Sequence, residues 1–156
     1  MSIIDDIVKD AEETLNNVTR YVATRVADDW ENKAKSVMDA YYSTETAGYY
    51  NRTDSLRNTI KRVFDQGGSG YTAGVEFDVS RMGHDGLSQF SEFAIFDNFM
   101  YGQHGSEDYT SPKTGNHIVR NIAFTSPFAK IVLDKYYQNY GGKVDAYFEE
   151  ALSIFG

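Results

Sequence analysis

SIIDDIVKDAEETLNNVTRYVATRVADDWENKAKSVMDAYY, residues 2–42, contains neither proline nor glycine. Apolar residues recur through it at Ile4, Ile7, Ala11, Leu15, Val18, Val22, Val26, Trp30, Ala34, Val37 and Tyr41, the spacing of one helical face. Lys9, Glu12, Glu13, Arg20, Asp28, Glu31 and Lys35 fall on the opposite, wet face. Ser2 is placed to cap the helix, and Asp5 and Asp6 stand in its first turn, where carboxylates complement the exposed amides. A helix over 2–42 would be ~60 Å long at ~1.5 Å per residue, longer than a domain of this size is wide. Either it breaks near Asn16-Asn17, or it projects and packs against another subunit.

Beyond this helix the pattern changes to strands. Gly67-Gly68-Ser69-Gly70 is a turn, and Tyr71, Ala73, Val75, Phe77 and Val79 alternate after it. With Ile60 to Phe64 on the other side, the segment 60–79 predicts a hairpin. Leu56, Ile60 and Val63 fit an inward face from either a helical turn or a strand. Phe90 to Tyr101 is an apolar cluster that fits a short helix or an extended segment, and 106–116 reads as a long loop or protrusion. A further strand is expected near 117–124, with Ile118, Ile122 and Phe124 on one parity. Ser126-Pro127 then opens a helix to about Tyr140, Gly141-Gly142 interrupts it, and Lys143 to Phe155 continues at helical spacing. The expected fold is α+β, one domain over 1–156: the long helix, a small antiparallel sheet and C-terminal helices.

The 156 residues carry a formal net charge of −8, with 12 tyrosines, 10 phenylalanines, 13 glycines and no cysteine. Without thiols there is no disulfide framework and no thiolate metal cage, and nothing demands an oxidising compartment, so synthesis and assembly in a cytoplasm are expected. The first residues lack a basic segment followed by an apolar run, and no apolar run approaches ~18 residues. Neither that export route nor membrane embedding is expected. The acidic balance argues against sequence-specific nucleic-acid binding, which clustered Lys and Arg drive. Two readings of the aromatics stand side by side: a tyrosine-rich core, or surfaces for subunit contact.

Catalytic and cofactor chemistry finds no frame. His84, His104 and His117 lie in unrelated contexts without metal-ligand spacing, and read as surface or loop histidines. Gly68-Ser69-Gly70-Tyr71-Thr72-Ala73 matches GxGxxA, but it precedes a strand instead of opening a helix. There is no GxSxG and no GxxxxGK[ST]. Glu12-Glu13, Asp28-Asp29 and Glu149-Glu150 sit on amphipathic helices, where charges normally face solvent. No enzyme activity and no cofactor are expected. Arg52, Arg57, Lys61 and Arg62 form the densest basic cluster, and pairing with carboxylates of a neighbouring subunit is favoured over nucleic-acid contact.

Tyr50-Asn51-Arg52-Thr53-Asp54-Ser55-Leu56-Arg57-Asn58-Thr59-Ile60 resembles the Y-x-R-T-G-x-L-x-x-S-I signature of the small tail-completion or neck proteins of long-tailed bacteriophages. Asp54 stands where the signature has Gly, and Thr59 where it has Ser. Asp tolerates turn conformations and Thr keeps the hydroxyl, so both changes are mild. The order of the remaining parts is similar to versions from phages of Gram-positive hosts: a long helix ending in Tyr41-Tyr42, the signature, a strand ending in Gly74-Val75-Glu76-Phe77-Asp78, a loop with Gly102-Gln103-His104-Gly105, and an aromatic C-terminal helix.

The resemblance implies a non-catalytic virion protein of α+β fold that closes the head and joins it to the tail. Its partners would be copies of itself in a ring, and the neighbouring head-tail connector and tail-tube proteins. An acidic ring would let DNA slide through its channel, since like charge denies phosphates any counterion-release gain. Tyr50, Arg52, Thr53, Leu56 and Ile60 would be the motif's structural residues. Thr53 would cap a turn, Leu56 and Ile60 would be buried, and Arg52 would bond a carboxylate or carbonyl. Trp30, Tyr41, Tyr42, Tyr136, Tyr137 and Tyr140 are the candidate interface residues. Other positions in the particle remain open: tail terminator, head-tail adaptor or minor capsid component. So does a small enzyme or host-directed protein with a cleft beside Phe93 to His104.

Overall fold

The computed structural model describes residues 2–44, 55–68, 70–82, 96, 99–100, 106–110, 117–121 and 129–156. Helix α1 runs unbroken over Ile3–Thr44. The Asn16-Asn17 pair does not interrupt it, because an asparagine costs a helix only a few tenths of a kcal/mol relative to its neighbours. Asn16 also accepts a hydrogen bond from the Tyr71 hydroxyl at 3.1 Å, which fixes that side chain. At the start, Ser2 Oγ accepts the Asp5 amide at 3.2 Å and Asp5 Oδ2 accepts the Ser2 amide at 3.0 Å. This reciprocal pair satisfies donors that the first turn otherwise leaves unpaired.

A 3-10 turn over Ser55–Thr59 leads into β1 (Ile60–Gly67), which pairs antiparallel with β2 (Gly70–Phe77). The Gly67↔Gly70 register closes the hairpin tightly, and Gly74, at φ 155°, holds a backbone conformation that favours glycine. Leu56 therefore sits on a helical turn and Ile60 on the first strand residue, and both face the core. Thr59 between them is buried, its hydroxyl donating to the Leu56 carbonyl at 2.7 Å. Its own carbonyl accepts the Asp78 amide at 2.7 Å, tying the open end of the hairpin to a second 3-10 turn, Val79–Met82.

The strand expected near 117–124 exists as β4, His117–Asn121, but it does not join the hairpin. It forms its own two-stranded antiparallel sheet with β3, Ser106–Thr110, a stretch expected to be loop. Ser-Glu-Asp-Tyr-Thr has no apolar alternation to announce a strand, and pairing of its backbone polar groups holds it there.

Helix α2 spans Ala129–Gln138 and α3 spans Gly141–Phe155. The Ser126-Pro127 start lies outside the described residues. The interruption falls at Asn139-Tyr140, just ahead of the expected glycine pair, which instead forms the first turn of α3. Asn139 closes α2 by donating its side-chain amide to the Lys135 carbonyl at 2.9 Å. The Tyr140 carbonyl then accepts the Lys143 amide at 3.0 Å.

Among the described elements, the hairpin, α2 and α3 all pack on α1. One core lies at its C-terminal half, where Val37 and Met38 meet Leu56, Met82, Phe99 and Ala129. A smaller one lies midway, where Val18 and Val22 meet Ala151 of α3. Ala23, Ala27 and Ala34 are buried and share a helix face with Asn16, which meets β2, so small side chains let the hairpin lie close. None of the described helices is long and apolar enough to cross a membrane.

Candidate docking interface

The aromatic residues expected at a subunit interface are mostly occupied within the chain. Trp30 on α1 meets the Tyr136 ring edge-on at 4.9 Å and the Tyr140 ring at 5.5 Å. Tyr140 is buried, and its hydroxyl donates to Asp29 Oδ2 at 2.8 Å, joined at the same oxygen by the Tyr147 hydroxyl at 2.5 Å. Burial, then the Asp29 hydrogen bond, pushes the Tyr140 phenol well up from its ordinary value. The Asp29 bond, then burial, raises Tyr147. Lys33 and Lys143 place their ammonium groups over the Tyr136 ring at 5.1 and 5.4 Å, an attraction between a cation and the negative ring face. This cluster fastens the α2–α3 corner to α1. Tyr41 packs on Phe99 at 5.4 Å. Only Tyr137 of the six is described as standing in solvent, 74% exposed; the Tyr42 side chain lies outside the described residues.

Of the motif residues, Leu56 is buried and Ile60 packs against the same core, whereas Tyr50, Arg52 and Thr53 lie outside the described residues. The basic cluster has partners in its own chain. Arg57 bonds Asp39, Lys61 pairs with Glu76 at 2.8 Å, and Arg62 bonds Asp28 and reaches Glu31 at 3.4 Å. Arg62 and Lys61 bind the hairpin to α1 and to itself. Phe96, Phe99 and Met100, from the stretch considered as a cleft wall, pack into the main core. His117 begins β4, while His84 and His104 lie outside the described residues. Among the described residues no group of three His, Cys, Asp or Glu is placed to hold a metal ion.

Among the described residues, the largest run of exposed aliphatic side chains lies at the start of α1. Ile3, Ile4, Ile7 and Leu15 are 79, 71, 61 and 63% exposed. At ~3.6 residues per turn, Ile4, Ile7, Ala11 and Leu15 continue the stripe on which Val18 and Val22 pack against α3. α3 runs antiparallel to α1: Tyr147 meets Asp29 near one end, and Phe155 meets Tyr21 at 6.1 Å near the other. Its Leu152 then lines an open groove of about 360 Å³ with Ala11, Leu15 and Val18. Past that groove none of the described helices lies on the stripe. Leu152, Ile154 and Phe155 at the end of α3 are also substantially exposed, so the two bare surfaces adjoin.

Full burial of an aliphatic side chain contributes about 1.5–3 kcal/mol, so covering Ile4, Ile7 and Leu15, each about two-thirds exposed, would contribute roughly 3–6 kcal/mol. Association costs on the order of 4–15 kcal/mol. The stripe alone would thus support a weak contact, and a tight one needs the α3 end or several sites acting together.

The stripe was readable as apolar, but its exposure depends on where α3 stops. Asp29, read as one of a solvated pair, was missed; the available signal was its position one turn on from Arg25, whose guanidinium lies over the Tyr147 ring of α3 at 4.9 Å. Comparison with known proteins returns no matching family model, no matching curated protein and no matching solved structure.

Proposed function

We propose that this chain is a structural protein of a bacteriophage particle, a tail-completion or neck component at the head-tail junction that works through protein contacts and catalyses nothing. The observation that carries the reading is the aliphatic stripe of α1, set beyond the end of α3 on a helix whose first turn is capped by Ser2 and Asp5. A soluble chain rarely leaves such a patch bare unless another chain covers it. The motif at 50–60 adds support, since Leu56 and Ile60 take the inward positions that its resemblance assigns to them. In this role copies form a ring around the DNA channel, with unlike neighbours on the head and tail sides. The chain's excess of carboxylates keeps DNA from adhering to it.

The test is genetic and visual. Phage lacking this chain should yield unjoined heads and tails by electron microscopy, and a labelled copy should mark the junction of complete particles. Normal joined particles in its absence would overturn the reading.

A further inference from the structure

We infer that the bare stripe of α1 receives an amphipathic helix with basic flanks, donated by a different protein and laid down as a continuation of α3. This rests on the reading of the chain as an assembly component and names the chemistry of its partner.

The shape comes from the seam already present. From Val18 onward the stripe is occupied by a helix, α3, through Ala151, Val144 and Tyr147. The open groove at Leu152, Ala11 and Leu15 is the unfilled remainder of that seam. A second helix set end-on to α3 would meet the same ridge spacing over Ile4, Ile7 and Ala11.

The charge comes from the flanks. Asp10 borders the stripe on one side, and Asp5 and Glu12 on the other, while Lys9, the only base among residues 2–15, lies on the far face. A partner helix with Lys or Arg beside its apolar face pairs with both borders. A second copy offers the reverse. Stripe to stripe in parallel, the Asp10 border of one copy faces the Asp5 and Glu12 border of the other; antiparallel, with Ile7 over Ala11, Asp5 faces Glu12 along one border and Asp10 faces Asp10 along the other. Like charges so placed suppress that pairing. An anionic membrane surface is repelled for the same reason.

The experiment uses the full chain and synthetic helical peptides, followed by fluorescence anisotropy. One peptide carries a leucine stripe flanked by lysines, and the other has the same stripe flanked by glutamates. The lysine peptide should bind about tenfold or more tightly than the glutamate peptide, and weaken severalfold between roughly 0.05 and 0.3 M salt. Ile7→Ser with Leu15→Ser should lower its affinity about tenfold or more, with circular dichroism unchanged because both side chains are exposed. Asp10→Lys with Glu12→Lys should reverse the preference between the peptides.

Equal binding of the two peptides, binding of neither, or a preference that survives the charge reversal would overturn the inference. So would a dimer in sedimentation that Ile7→Ser dissolves, or equal binding to phosphatidylserine vesicles. These outcomes do not depend on the particle assay: the structural-protein reading fails if joined particles form without the chain, whatever the peptides do.

Discussion

Two phenols converge on one oxygen of Asp29, and only one of them has water as an alternative partner. Tyr147 is partly exposed, whereas Tyr140 is buried under Trp30 and Tyr136. Asp29→Ala should therefore leave the Tyr140 hydroxyl without an acceptor and lower stability by about 1–3 kcal/mol. Asp29→Asn keeps an acceptor oxygen and should cost less; urea unfolding of the two variants separates the cases. The same contacts raise both phenols above their ordinary value, so folding favours their neutral form. That contribution is complete below the unfolded tyrosine value of ~10 and is lost as pH rises through the folded values. On alkaline titration the tyrosinate absorbance of these two residues should appear together with loss of helical signal, and earlier in Asp29→Asn. Two phenols ionising at their ordinary value in the folded chain would contradict the arrangement.

At the scale of elements, α1 has two working faces, and the sequence disclosed one of them. The stripe through Val18, Val22 and Val26 was visible because large aliphatic residues repeat at helical spacing. The hairpin side is marked by Ala23, Ala27 and Ala34, whose small size is what allows close approach and also what gives them little weight in a hydrophobic pattern. Ala27 is fully buried. Ala27→Leu should lower stability by about 1–3 kcal/mol through overpacking, measured as a lowered urea midpoint; an unchanged midpoint would mean the face has room. The hairpin itself was legible because Tyr71, Ala73, Val75 and Phe77 alternate after a glycine turn. The β3–β4 pair was half legible, since Ser106–Thr110 offers only polar residues and its strand state comes from backbone pairing with His117–Asn121. The break before α3 was placed at the glycines, yet Tyr140, held by Asp29, sits where the chain turns. The candidate interface was least legible: of the tyrosines that fitted either a core or a subunit contact, Tyr140 is buried against Trp30 while Tyr137 stands in solvent, and Ile4, Ile7 and Leu15, expected to pack, lie beyond the reach of α3.

At the scale of the whole molecule, α1 is longer than the body that packs on it, so its stability should be graded along its length. Residues 18–38 contribute to both cores, and their amides open only when the packing does. Residues 3–10 have local helix propensity and the Ser2–Asp5 cap, and short unpacked helical segments are marginal in water. Native-state hydrogen exchange should thus show the first three turns opening far more readily than the middle. Ser2→Ala, removing a cap that contributes about 1 kcal/mol, should speed exchange there about fivefold and leave residues beyond Val18 unchanged. Asp5 is held below its ordinary value by the Ser2 amide, then by the Ser2 hydroxyl. Its support is therefore present above the unfolded aspartate value of ~3.9 and is lost as pH falls through the folded one. Acid should loosen this end before the cores give way, and a bound partner helix should reverse the gradient by protecting the same amides. Uniform protection from Ile4 to Met38 in the isolated chain would mean that the end of α1 is already covered, and the docking reading would lose its basis.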